Sequence, residues 1–346
     1  MPVANLTYDA AIVGLGPVGA VFANLLAKAG LRVAVVERVA DIYDKPRAIT
    51  LDHEALRVLQ AIGLGDFLEQ AIAPHNGSHY LGVDGEIIKI FDPMPPPFPL
   101  GWIPNVTFVQ PDLEQALRNK LAEYPRVDVL LAAAGVALQQ DDDAVTLTVR
   151  RESGEQLPIR ARYLIGCDGA NSFVRKQLDI GLDDLAFDEW WMVVDTLTSD
   201  PAKRPAKSFQ YCWPSRPGTF VPGPRNLRRW EIKLLPGEDP EAAGAPDNVV
   251  RLLNGFTDIS DLTIWRSAVY RFHALLGQRW RDRRVLLMGD AVQAARVLAA
   301  WWRPRCRVRD RTRSPCWAGT GRPRSGRTSA RSTSLCLATA SRTAVT

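Results

Sequence analysis

The chain has 346 residues, 46% of them apolar and 23% charged, enough to bury a sizeable core and usually to build two domains. No stretch is long and apolar enough to span a bilayer, and no basic segment followed by an apolar block opens the chain, so no secretory signal is expected. Cys167, Cys212, Cys306, Cys316 and Cys336 are too scattered for a disulfide framework or a zinc site, so a cytoplasmic protein with reduced thiols is expected. The net charge of +5 is uneven: 11 of 43 basic and 1 of 38 acidic residues fall in 303–346, leaving about −5 on residues 1–302 and about +10 on the last 44.

The pattern begins with a βαβ unit. Residues 9–13 read as a buried strand, 18–29 as a helix with one apolar face that Gly30 ends, and 31–37 as a second strand. A loop follows over 40–50, then helical patterns at 53–62 and 65–70. Residues 79–81 and 86–91 read as strands around Val83-Asp84-Gly85, and Pro93-Met94-Pro95-Pro96-Pro97 as a rigid connector. Gln110-Pro111-Asp112-Leu113-Glu114 opens a helix to about residue 121, with proline early and acids in its first turn. Strands are expected at 127–133, 135–139, 144–150 and 163–167. Residues 188–272 alternate aromatic-rich strands (190–195, 209–213, 227–235) with loops and a helix at 247–254, and 285–288 returns to a short buried strand. Strands alternating with helices, then a block of strands, suggest a doubly wound core with a second sheet layer inserted.

Three motifs carry chemistry. In Gly14-Leu15-Gly16-Pro17-Val18-Gly19 the first glycine permits a tight turn, the second lets backbone approach a pyrophosphate, and the third lets helix and strand pack closely. The helix N-terminus offers unpaired N–H groups to the phosphate. Glu37 follows 23 residues after Gly14, where a carboxylate can accept from a ribose hydroxyl and repel a 2′-phosphate. Cys167-Asp168-Gly169 closes the second motif's strand, and Gly289-Asp290 closes the third's. His53, His75, His79 and His273 show no metal spacing, so no metal is expected. Trp190, Trp191, Phe209, Tyr211, Trp213 and Trp230 either line an aromatic pocket or pack on one face of a sheet.

With these residues in this order, the chain resembles the class A flavoprotein monooxygenases, the group of para-hydroxybenzoate hydroxylase, phenol hydroxylase and 3-(3-hydroxyphenyl)propionate hydroxylase, the third being nearest. Residues 6–178 and 280–290 carry the likeness. The resemblance implies an α/β fold: a Rossmann-like FAD-binding domain (1–71, 106–184, 276–302) with an inserted β-rich substrate domain (72–105, 185–275). It implies FAD held by Gly14, Gly16, Pro17, Val18, Gly19, Glu37, Arg38, Arg47, Gln110, Asp168, Gly169, Arg175, Gly289 and Asp290. Arg47, in the loop near flavin and nicotinamide, is the best candidate for a catalytic role. The implied reaction uses NAD(P)H and O2 to hydroxylate a small phenolic substrate through a flavin hydroperoxide. Neither nucleic acid nor a membrane is an expected partner, and a homodimer stays open. Flavin halogenases need two tryptophans flanking one variable residue, which Gly101-Trp102-Ile103-Pro104 does not supply.

The likeness stops after Asp290. Where the family continues into Ala-Ala-His, a Pro-rich turn and a Gly-x-Gly loop, this chain reads Ala291-Val292-Gln293-Ala294-Ala295-Arg296, with no glycine until Gly319. A change of reading frame would explain it. The single tryptophan codon fixes the six bases of Trp301-Trp302; read one base later, they begin Gly-Gly under any arginine codon starting with C. The arginine-rich stretch 303–346, without apolar periodicity, is expected to be disordered. Sequencing the coding DNA and finding no Gly-rich loop in either alternative frame would refute the frame change. Other readings are an inactive flavoprotein fragment, a binding protein whose basic tail contacts nucleic acid, and an FAD oxidoreductase acting on polycyclic aromatics.

Overall fold

The computed structural model describes residues 7–295. The first apolar run becomes the strand Thr7–Val13, at the centre of a mixed sheet. Val33–Val36 lies parallel on one side and Gln156–Gly166 parallel on the other. Val127–Leu130 and Val285–Leu287 extend the parallel set outward. Ile12, Val33, Ala34 and Val35 are fully buried, which is why these strands read as apolar runs rather than alternating ones.

The two faces of this sheet are covered differently. Ala10, Ile12, Val33 and Val35 pack under the helices Pro17–Lys28, His53–Ile62 and Gln110–Leu121. Asn24, fully buried, ties the first of these helices to the third by donating to the Leu117 carbonyl at 3.0 Å. Ala11, Val13, Ala34 and Val36 instead meet Val145, Leu147 and Val149. These belong to an antiparallel layer of Ala133–Gln140, Val145–Arg151 and the first half of Gln156–Gly166. The expected doubly wound core is therefore corrected on this face: period-two alternation over 145–149 makes strands, and strands cover it where helices would have.

A second sheet of eight strands runs in the order Gln293–Ala295, Leu262–Gly277, Leu182–Thr198, Leu227–Lys233, Gly218–Pro222, Ser208–Tyr211, Ser78–Leu81, Ile87–Phe91. Parallel pairing of Ser78–Leu81 with Ser208–Tyr211 joins two segments far apart in sequence. The helix Pro246–Asn254 covers one face through Val249, Leu252 and Leu253. Sequence reading missed Leu262–Gly277, whose polar residues hide its length. It also grouped 293–295 with the glycine-motif domain, whereas Gln293–Ala295 pairs with Leu262–Gly277. The sheets meet where Ile49 and Val109 pack against Val221 and Leu227. No described helix is long and apolar enough to cross a membrane. The stretch 303–346, expected to be disordered, lies outside the described residues.

Candidate functional site

Parallel strands end on the same side of their sheet, so the loops that follow them converge there. Gly14 leaves Thr7–Val13, Cys167-Asp168-Gly169 leaves Gln156–Gly166, and Gly289-Asp290 follows Val285–Leu287. The ladder reaches these loops: Cys167 N donates to Val13 O at 2.7 Å, Gly14 N to Val36 O at 2.8 Å, and Met288 N to Gly166 O at 2.9 Å. The three motifs thus sit side by side. Gly14 has φ of +99°, and a side chain there would begin 2.4 Å from the Cys167 carbonyl oxygen. At Gly16 the backbone is ordinary and, apart from its own chain neighbours, no atom of the described residues lies within 4 Å of where a side chain would begin. This open space lies at the N-terminus of a twelve-residue helix that has no side-chain cap. Its first N–H groups are the donors that an anion would satisfy, so the arrangement fits a pyrophosphate. Pro17 and Val18 open the helix, and Gly289 approaches Val18 closely, at φ of +59°.

Glu37 stands where the second parallel strand ends. Its Oε2 accepts from Leu15 N at 2.7 Å and its Oε1 from Val39 N at 3.1 Å. The carboxylate is thereby fixed beside the glycine turn, with lone pairs left for a hydroxyl donor. Arg38 is exposed. Arg47 is also exposed, its guanidinium 5.2 Å from the Tyr43 ring centroid. Gln110 is buried. Its Oε1 accepts from Ala48 N at 2.7 Å and its Nε2 donates to Glu114 Oε1 at 2.7 Å. It therefore latches the Arg47 loop to the helix Gln110–Leu121. Burial pushes the Glu114 carboxyl above its usual range, against the opposing pull of the Gln110 hydrogen bond and of Arg118 and Arg47.

Asp168 and Arg175 brace the turn from within. The Asp168 carboxylate accepts from the Ser172 hydroxyl at 2.5 Å and from Val174 N at 3.0 Å. Gly169 takes φ of +80°. Arg175 is buried and donates to Ala291 O at 2.7 Å and Ala170 O at 2.8 Å. It stitches the Asp-Gly turn to the Gly-Asp turn, so any effect on a ligand acts through those turns. Asp290 is exposed at the end of Val285–Leu287.

Sequence reading missed one cluster. Asp195, Arg229 and Arg266 lie directly opposite one another on neighbouring strands of the second sheet and are buried. They face the Arg47 loop: Arg229 donates to Arg47 O at 2.7 Å, and Arg266 to Pro46 O at 2.8 Å. The next row of that face holds Val193, Glu231 and Thr219, and Thr219 donates to Gln210 at 2.8 Å. No motif spacing marks these residues; the only signal was charge inside apolar strands. Phe209, Phe220, Trp230 and Val194 share the opposite face, as do Tyr211 and Ile232, packed on the helix Pro246–Asn254. Burial there pushes the Tyr211 phenol up to about 12. Of the candidate pocket aromatics, Tyr211 and Trp230 are thus core, and Phe209 and Trp213, half-buried, pack against it. Trp191 packs near Phe272 and Trp190 is exposed. Among the described residues no cluster of three or more His, Cys, Asp or Glu is arranged to hold a metal ion.

A family model described as FAD binding domain matches residues 7–300. The 3-(3-hydroxy-phenyl)propionate/3-hydroxycinnamic acid hydroxylase of Escherichia coli (strain SMS-3-5 / SECEC) is 35% identical over 301 residues, covering 87% of this chain and 53% of the relative. That of Paraburkholderia xenovorans (strain LB400) is 36% identical over 298 residues, covering 86% and 47%. The chain therefore spans about half the length of these relatives. Among solved structures, p-nitrophenol 4-monooxygenase from Pseudomonas putida DLL-E4 superposes with TM-score 0.73 at 23% identity, covering 83% of this chain and 73% of that one. The flavin-dependent monooxygenase PieE, solved with FAD and substrate, gives TM-score 0.74 at 22% identity, covering 84% and 54%. At these identities the structural likeness establishes the fold.

Proposed function

The chain belongs to the FAD binding domain family, and on that premise we propose that it binds FAD and serves NAD(P)H- and O2-dependent hydroxylation of a small phenolic ring. The observation that carries this reading is the meeting of three loops, after Val13, Gly166 and Leu287, at one edge of the parallel sheet, beside a helix N-terminus without a side-chain cap. Bound FAD supplies two-electron redox chemistry and oxygen activation.

The chain's own residues bind and orient. The first N–H groups of Pro17–Lys28 receive the pyrophosphate over Gly16. Glu37, held by Leu15 N and Val39 N, accepts from ribose hydroxyls. Gly289 and Asp290 take the ribityl and phosphate side. Asp168, Gly169 and Arg175 hold the turn between them, and Gln110 fixes the loop from which Arg47 offers positive charge. In the substrate domain, residues 72–105 and 185–275, the row of Glu231, Thr219 and Gln210 supplies polar contacts for a phenol and shields it from water. The relatives' names support a hydroxyphenyl-propionate or hydroxycinnamate as the substrate class. A cytoplasmic setting, in keeping with Cys167 and Cys212 as free thiols, belongs to the same reading.

The test is the visible spectrum of the purified chain with and without FAD. A bound flavin spectrum, followed by NAD(P)H oxidation stimulated by 3-(3-hydroxyphenyl)propionate, is expected. A colourless protein that takes up no FAD would overturn the reading.

A further inference from the structure

We infer that Asp195, Arg229 and Arg266 form a clamp that positions Arg47; this deepens, and rests on, the reading of Arg47 as a cofactor-site residue. Asp195 is fully buried and accepts from Arg229 Nε at 2.7 Å, Arg229 Nη2 at 3.1 Å and Arg266 Nη1 at 3.1 Å. The guanidiniums then reach across to the other sheet's loop. Pro46 O accepts from Arg266 Nη1 at 2.8 Å and Arg229 Nη2 at 3.1 Å, and Arg47 O accepts from Arg229 Nη1 at 2.7 Å. On the far side of the same peptide, Ala48 N donates to Gln110 at 2.7 Å. The Arg47–Ala48 peptide is therefore held at its oxygen by one domain and at its nitrogen by the other.

The composition of the cluster argues for a task beyond holding the sheet together. Two guanidiniums share one carboxylate, with Glu231 4.0 Å from Arg229. Arg266 Nε is buried without a hydrogen-bond partner among the described residues. Stability alone favours apolar packing at such a site over buried ions, and nothing in the sheet's own ladder needs these charges. What they do is present planar donor forks that take up two consecutive loop carbonyls. The Arg47 side chain is left exposed on a backbone that cannot turn.

Native-state trypsin digestion tests this, because Arg47–Ala48 is a tryptic bond with both peptide atoms engaged, and cleavage requires the loop to open. Arg229→Met leaves the Asp195–Arg266 pair in place. It is expected to speed cleavage after Arg47 about ten- to a hundredfold, the loss of charge-assisted hydrogen bonds, with cleavage outside residues 38–57 unchanged. Arg229→Lys, which keeps the charge but not the fork, should fall between. Equal acceleration at all sites, or none after Arg47, would overturn the clamp. Should Arg229→Met not fold, hydrogen exchange on the unaltered chain decides. The Ala48 amide must exchange only with global unfolding, and fast exchange there overturns the proposal. The link to Arg47 itself is read from FAD affinity. Arg47→Ala and Arg229→Met should each weaken FAD, and the double variant should be no weaker than Arg47→Ala; simple additivity would overturn that link. If the unaltered chain takes up no FAD, the functional reading fails while the digestion still decides the clamp.

Discussion

At the scale of single residues, two glycines of one motif have different jobs. Gly14 carries φ of +99° and a replacement Cβ would meet the Cys167 carbonyl at 2.4 Å. Gly14→Ala is expected to cost at least about 1–3 kcal/mol in backbone strain alone, read as a lowered urea midpoint. Gly16 has φ of −68° and open space where its side chain would start. Gly16→Val should leave stability within about 0.5 kcal/mol yet weaken FAD at least about tenfold by filling the approach to the helix N-terminus. Equal loss of stability in both would show the motif to be merely a turn. Glu114 gives a pH prediction. Burial raises its carboxyl in the folded chain, so between its unfolded and folded pKa values the native state binds more protons, and stability falls as pH rises through that window. Glu114→Gln keeps an acceptor for Gln110 and removes the charge. It should melt higher than the unaltered chain at neutral pH, the gap closing below about pH 4. A gap that widens in acid would reverse the sign.

At the scale of elements, what was legible followed local rules. The glycine turn, its helix and Glu37 carry their spacing in the sequence, and the helical pattern over 53–62 matches His53–Ile62 to the residue; in the structure Asp52 caps it and Gly63, at φ of +99°, ends it. What was not legible depends on which strand lies beside which. Arg229 and Arg266 lie 34 and 71 residues from Asp195 along the chain and meet it only through strand register. The aromatics show the same limit. Alternation places Phe209, Tyr211 and Trp230 on one face, but only the packing of Pro246–Asn254 makes that face the core. A prediction follows. Trp230, fully buried beneath that helix, should cost about 3–5 kcal/mol when changed to alanine, measured by denaturant unfolding. FAD affinity of the folded fraction should not change. A selective loss of ligand affinity with stability intact would return Trp230 to a pocket.

At the scale of the whole molecule, the two sheets are joined by the Arg47 loop, by Ile49 and Val109 against Val221 and Leu227, and by the chain crossing from Val285–Leu287 to Gln293–Ala295. Trp190, Trp191, Trp230 and Trp265 all lie on strands of the second sheet, and Trp213 follows one. These are five of the chain's ten tryptophans; Trp102 packs against the core beneath the glycine motif, Trp280 O accepts from Leu287 N of the first sheet, and Trp301, Trp302 and Trp317 lie outside the described residues, so tryptophan fluorescence isolates the second sheet once Trp102, Trp280 and those three are replaced by phenylalanine. FAD held at the parallel sheet stabilises only what unfolds together with its site. With free FAD at about a hundred times its Kd, that amounts to about 2.7 kcal/mol. If the sheets unfold as one unit, the tryptophan-detected melt should rise with FAD by the same amount as a far-ultraviolet melt. A tryptophan transition that stays put while flavin release moves upward would mean that the second sheet unfolds on its own. The contacts through Asp195, Arg229 and Arg266 would then be too weak to transmit occupancy from one sheet to the other.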